Sequence, residues 1–143
     1  MRNEKLHMFS RVHLRDEIDM CRKAASLLAG GVADRVLNDV LVDSYAIHLR
    51  TLIEFLYGSR SKPDDLRAVD FVTVREPWIH ARGSIPQPLK DAQERAHKQL
   101  AHFTKKRFAH GALENMWHPG HEIPAVVAGL RLFLRYADPE ASP

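Results

Sequence analysis

With a single cysteine, Cys21, the chain has no partner for an intrachain disulfide, which fits a reducing compartment. Cys21 also falls on the apolar face of its predicted helix, where it reads as a small buried hydrophobe rather than a nucleophile. Glycines are few and scattered, with only Gly30-Gly31 adjacent, so neither a Walker nor a dinucleotide-binding glycine pattern exists. The longest apolar run, Ile123 to Leu134, is too short to span a bilayer and is interrupted by Arg131. The polar N-terminus has no apolar signal segment, so the expectation is a cytoplasmic protein with no membrane association. Period-two alternation, hairpin signals, internal repeats and low-complexity tracts are all missing, and so is any serine-triad signature. These absences leave an all-α protein without a nucleotide-binding loop.

What the chain does contain is helical periodicity. Its 143 residues suffice for one domain with a single core, spanning 1–143 with 1–13 as a lead-in and 138–143 as a frayed tail. Ile18, Cys21, Ala24 or Ala25 and Leu28 recur at helical spacing until Gly30-Gly31 stops the run. A longer helix is predicted over Val32 to Tyr57, with the stripe Leu37, Leu41, Tyr45, His48, Leu52, Phe55 and Leu56, closed by Gly58 as a C′ residue, the position at which glycine commonly turns left-handed. From Ser59 to Pro88 prolines break up the pattern, leaving a helical turn near Leu66 to Phe71 and an ordered crossing whose aromatics pack on the bundle. A third main helix runs from about Leu89 to Phe108, with Leu89, Ala92 or Gln93, Ala96, Leu100 and Phe103 inward. MWHPGHEI reads as a turn before a fourth helix from Pro124 to Tyr136. The expected fold is therefore all-α, a four-to-five-helix bundle with one long irregular connection between the second and third main helices.

Chemistry concentrates in Glu94 to Arg107, ERAHKQLAHFTKKR. Arg95 and His102 are seven apart and share a helix face, with Lys98 and Gln99 between them. A guanidinium is a permanent, fork-shaped cation suited to phosphate oxygens. An imidazole gives or takes a proton near neutrality. Together they meet the needs of metal-independent RNA cleavage, in which a 2′-hydroxyl attacks the neighbouring phosphorus. Net charge is +3 with a pI of about 9.2, which permits a nucleic-acid partner without requiring one.

The nine histidines also raise the question of a metal. Glu-x-x-His occurs at Glu4–His7 and Glu94–His97, the arrangement that builds di-metal carboxylate sites in four-helix bundles, and Glu54 could add a ligand. A fourth helix beginning at Pro124 supplies no acidic residue before Asp138, and His118 with His121 makes an incomplete site. No metal and no cofactor is expected.

HLRTLIEFLYG (48–58), DDLRAVDF (64–71) and RAHKQLAHFTKKR (95–107), in that order, resemble the HEPN superfamily, in its uncharacterised and abortive-infection-like bacterial branches. The resemblance covers the middle three-quarters of the chain. It implies a four- or five-helix bundle, a homodimer, and a metal-independent ribonuclease of toxin–antitoxin or phage-defence type with a protein antitoxin as partner. The family's catalytic mark is an Arg, four to six residues, then a His. Three pairs have that spacing: Arg2–His7, Arg75–His80 and Arg95–His102. The first is terminal, and Pro77 is expected to spoil a helix across the second, so position selects Arg95 as phosphate clamp and His102 as general acid/base. His97 and Thr104 would orient them, and Lys98 offers a second cation. Active members carry Asn, Asp or His directly after the Arg, whereas this chain has Ala96. The alternative expectation is thus a catalytically inactive bundle that binds a nucleotide or a protein. His48 is expected to be a core histidine bonded to backbone or Thr104. Arg50 is expected to pair with Glu54, or on the resemblance to reach the pocket of His102.

Overall fold

The computed structural model describes residues 8–59, 62–100 and 117–139, and among them every regular element is helical. The chain enters through a π-helical turn, Phe9–Leu14, that runs directly into α1, Arg15–Ala29. Asp16 and Glu17 in the first turn of α1 suit the positive end of its dipole, and Gly30 ends it. The second helix, α2, spans Arg35–Tyr57, and Asp34 caps it by accepting from the Leu37 amide at 2.8 Å. A 3₁₀ turn follows at Ala68–Asp70, then α3 at Arg75–Arg82, α4 at Gln87–Leu100 and α5 at Pro119–Tyr136. No helix among the described residues is long and apolar enough to cross a membrane.

The all-α expectation holds, with four corrections that each have a local cause. The crossing between the second and third long helices is ordered by α3, because Pro77 occupies only its third position. Amides in a first helical turn have no intrahelical acceptor, so proline costs nothing there. The last helix begins at Pro119 rather than Pro124, converting most of the expected turn into helix. Gly58 closes α2 in an extended conformation with φ −66°, not a left-handed one. Glycine is still required, since a Cβ there would stand 2.5 Å from the Glu54 carbonyl oxygen. Asp138 is not frayed: its amide donates to the Phe71 carbonyl at 2.8 Å, beside the antiparallel bridge of Val72 with Ala137.

α1 and α2 form an antiparallel hairpin, and α4 and α5 pack against α2. The buried side chains of α2 begin at Tyr45 and run through Ala46, Leu49, Leu52, Ile53, Phe55 and Leu56. Leu37, placed in the apolar stripe by spacing, is 51% exposed, because the core meets only the C-terminal part of this helix. At the centre, Phe133 receives Phe55 and Trp78 edge to face, with ring centroids 5.3 and 5.8 Å away, and Phe71 closes the cluster. Burying side chains of this size contributes about 1.5–3 kcal/mol each, enough to draw α3 and the crossing onto the bundle. On α4 the inward residues are Leu89, Ala92 and Ala96, as periodicity requires.

Candidate functional site

Arg95 lies one residue before the buried Ala96, so its side chain leaves α4 at the margin of the core and turns toward α5. There its Nη2 donates to Glu122 Oε1 at 2.9 Å. Glu122 is 1% exposed, and its other oxygen accepts from the Tyr45 hydroxyl at 2.7 Å. The Arg95 guanidinium also sits over the Trp117 ring, 5.3 Å from its centroid, and Trp117 meets Tyr45 edge to face. Three helices thus converge on one carboxylate: α2 through Tyr45, α4 through Arg95, and α5 through Glu122 itself. Burial and the adjacent Glu122 charge both push the Tyr45 hydroxyl above its ordinary pKa, so it remains a neutral donor.

A cleft of about 410 Å³ opens beside this cluster. It is lined by Arg95 and Glu122, by Gln87 and Asp91 of α4, and by His118 and His121. Both histidines are exposed, and their ring centroids are 6.4 Å apart. They stand here because helix α5 starts early: the His118 carbonyl accepts from the His121 and Glu122 amides at 2.9 and 3.0 Å. That first turn places His121 at the cleft rim and Glu122 toward the core. The resulting arrangement is a guanidinium fixed by a carboxylate on its edge and an indole on its face, beside two imidazoles. It can grip an oxyanion and exchange protons with it.

The other expected site residues divide between two further places. His97 and Lys98 line a second cleft of about 340 Å³ with Arg50, Glu54, Gln93 and Glu94. Arg50 Nε donates to Glu54 Oε1 at 2.8 Å, the pair anticipated from their spacing. Lys98 and Arg95 therefore do not share a flank, and Lys98 does not replace Arg95 at the first cleft. A three-residue step falls about 60° short of a full turn, and the two side chains meet different neighbours: Arg95 meets Glu122 of α5, and Lys98 lines the cleft with Arg50 and Glu54 of α2. His48 joins α1 to α2 instead of reaching α4: its Nδ1 lies 2.7 Å from Glu17 Oε2. His102 and Thr104 lie outside the described residues, as does Phe103. The objection to Arg75–His80 on helix grounds is also removed, because both lie on α3.

Glu122 and Tyr45 are the residues that sequence reasoning passed over as a polar pair. Glu122 stands in register with Val126, Leu130 and Phe133, spaced four, four and three, so it occupies the inward stripe of α5. An acidic residue within an apolar stripe signals a buried partner. Starting the helix at Pro124 hid it. Among the described residues no three or more His, Cys, Asp or Glu side chains are grouped so as to hold a metal. Glu54, the candidate bridging ligand, is paired with Arg50. Compared with protein-family models, curated proteins and solved structures, the chain matches none.

Proposed function

We propose that the protein is a HEPN-like, metal-independent endoribonuclease of toxin or phage-defence type, working as a cytoplasmic homodimer with a protein antitoxin as partner. One observation carries this reading: Arg95, singled out by its place late in the bundle, lines a cleft with His118 and His121 and is held there by Glu122 and Trp117. In the reaction, Arg95 neutralises a non-bridging phosphate oxygen while the ribose 2′-hydroxyl attacks the phosphorus. His102 acts as general acid/base, taking the 2′-hydroxyl proton or delivering one to the departing 5′-oxygen, with His118 and His121 beside the same phosphate. The products are a 2′,3′-cyclic phosphate and a 5′-hydroxyl. General acid–base assistance of this kind is worth about 10²–10⁴ in rate.

The test is incubation of single-stranded and structured RNA with purified protein in EDTA. Wild type should leave 2′,3′-cyclic phosphate ends, and His102→Ala should slow cleavage at least about a hundredfold. Arg95→Lys, which keeps the charge beside Glu122 but loses the fork, should also be impaired. If His102→Ala and Arg95→Lys cleave as wild type does, the assignment is wrong.

A second reading rests on the same ion pair. Glu122 already compensates the charge of Arg95, and Ala96 stands where active members of the resembled family carry a polar residue. On that reading the protein is a catalytically inactive bundle that binds a nucleotide or a protein partner. RNA left intact by wild type, together with saturable nucleotide binding that Arg95→Lys abolishes, would establish it.

A further inference from the structure

A separate cavity of about 470 Å³ opens where α2 ends, between the 3₁₀ turn and α3. It shares no lining residue with the Arg95 cleft, and Tyr57 stands 12 residues beyond Tyr45, about 18 Å farther along α2. Three arginines, Arg67, Arg75 and Arg82, come together in its lining. They arrive from different sources: Arg67 precedes the 3₁₀ turn, whereas Arg75 and Arg82 open and close α3. Gly58 allows the closest approach, since an ideal Cβ there would lie 3.2 Å from Arg67 Nε.

These guanidiniums have fewer acceptors than donors. Arg67 Nη2 donates to Asp65 at 3.3 Å and its Nη1 to the Leu66 carbonyl at 3.4 Å, both long bonds, and its buried Nε has no partner among the described residues. Arg82 donates through Nη1 to the Leu56 carbonyl at 2.8 Å, and its buried Nε likewise has no partner among the described residues. Neither Arg75 nor Arg82 has a carboxylate partner among the described residues. Among the described residues one carboxylate, Asp70, lines the cavity, and it accepts from the Arg67 amide at 2.8 Å. Three lining arginines against Asp70 leave a local charge of +2, and counting Asp65 leaves +1. Like charges brought together at a wall repel, so the fold holds this cluster at a cost that an anion would relieve.

The remaining wall is apolar. Val69 and Ile79 line it, and the Tyr57 ring lies under the Arg82 guanidinium, 5.7 Å from ring centroid to Cζ. A volume of this size lies within the range of small-ligand sites. We propose that this cavity binds a small phosphomonoester, with its phosphate on the three arginines and its organic body against Tyr57, Val69 and Ile79. A dianionic phosphate matches the excess charge, and planar guanidinium forks suit its oxygens. The proposal is independent of what the Arg95 cleft does.

Arg75 provides the clean variant, because it is exposed and makes no described ion pair that the fold would lose. The experiment titrates full-length protein by calorimetry and amide NMR at constant ionic strength with phenyl phosphate, inorganic phosphate and benzoate. Phenyl phosphate should saturate one site, perturb the amides of Gly58, Asp70 and Arg75, and bind more tightly than inorganic phosphate or benzoate. Arg75→Gln, with an unchanged circular dichroism spectrum, should weaken phenyl phosphate about tenfold or more, as loss of one charge-assisted contact would. Equal binding of phenyl phosphate and inorganic phosphate would remove the organic subsite from the proposal. Binding that is indifferent to Arg75→Gln, that shifts only amides around Arg95 and His121, or that never saturates at millimolar concentration would overturn it.

Discussion

Replacing Glu122 by Gln is the sharpest perturbation of the three-helix junction. The substitution preserves volume and leaves an amide oxygen to accept from Tyr45, but removes the charge that faces Arg95. Breaking a fully buried pair by deleting one partner costs about 3–5 kcal/mol, because the other charge stays desolvated. Glu122 meets that condition at 1% exposure, whereas the Arg95 side chain retains 16% and borders an open cleft. Water can therefore reach part of the guanidinium, which places the expected loss at or below the lower end of that range, about 2–3 kcal/mol. Against a total stability of about 5–15 kcal/mol this is a large fraction. It corresponds to several degrees in Tm at about 2–4 °C per kcal/mol for a domain somewhat larger than this one. Urea denaturation of wild type, Glu122→Gln, Arg95→Gln and the double variant forms the necessary cycle. The double variant should be no less stable than Glu122→Gln alone, since removing Arg95 also removes the uncompensated charge. Its coupling energy should exceed about 1 kcal/mol. Additive losses within about 0.5 kcal/mol would show that the two residues do not act as a pair, and would undo the account of how Arg95 is oriented.

Further outcomes follow from two buried positions, Cys21 and Gly129. Burial, with smaller contributions from the Glu122 and Glu17 charges, pushes the Cys21 thiol up from 9.0 to about 12. The unfolded chain then ionises first as pH rises, so the native state holds the extra proton and stability falls above pH 9 with a slope approaching about 1.4 kcal/mol per pH unit. Cys21→Ala should flatten that slope between pH 9 and 10, and an unchanged slope would refute the assignment. Iodoacetamide should accordingly modify Cys21 only on unfolding. Gly129→Ala should destabilise despite alanine's higher helix propensity, because the new Cβ would meet Leu56 Cδ1 at 2.9 Å and the Tyr57 hydroxyl at 3.1 Å. Overpacking costs about 1–3 kcal/mol against a propensity gain of up to about 1 kcal/mol, so thermal melts should show a net loss. A gain in Tm would mean that Leu56 and Tyr57 move aside freely.

The helical class, the stop at Gly30-Gly31, the inward stripe of α4 and the Arg50–Glu54 pair were all legible in the sequence. Each depends on residues within a turn or two of one another, where the 3.6-residue period and capping chemistry act. Cys21 was legible as buried for the same reason. Helix starts were harder, since a proline at position one, position three or position six of a helix looks alike in a string. Pro77, third in α3, and Pro119, first in α5, both lie in the first turn of a helix where the string suggested a break or a turn, and the later start expected at Pro124 concealed Glu122.

Tertiary structure alone decided which polar side chains meet. Tyr45 and Glu122 are 77 residues apart, and Arg95 and Glu122 are 27 apart, so no local period links them. Their union is set by how α2, α4 and α5 pack, through the buried Leu49, Leu52 and Ile53 of α2, Leu89, Ala92 and Ala96 of α4, and Val126, Leu130 and Phe133 of α5. The same crossings place Lys98 and Arg95 in different clefts, although both stand on the outward side of one helix. The placement of the 3₁₀ turn and α3 beside the end of α2 likewise gathers Arg67, Arg75 and Arg82 around a cavity that no spacing in the chain announces. One helix determines a face by its own geometry, but what that face touches depends on the neighbours that bury the apolar stripe beside it.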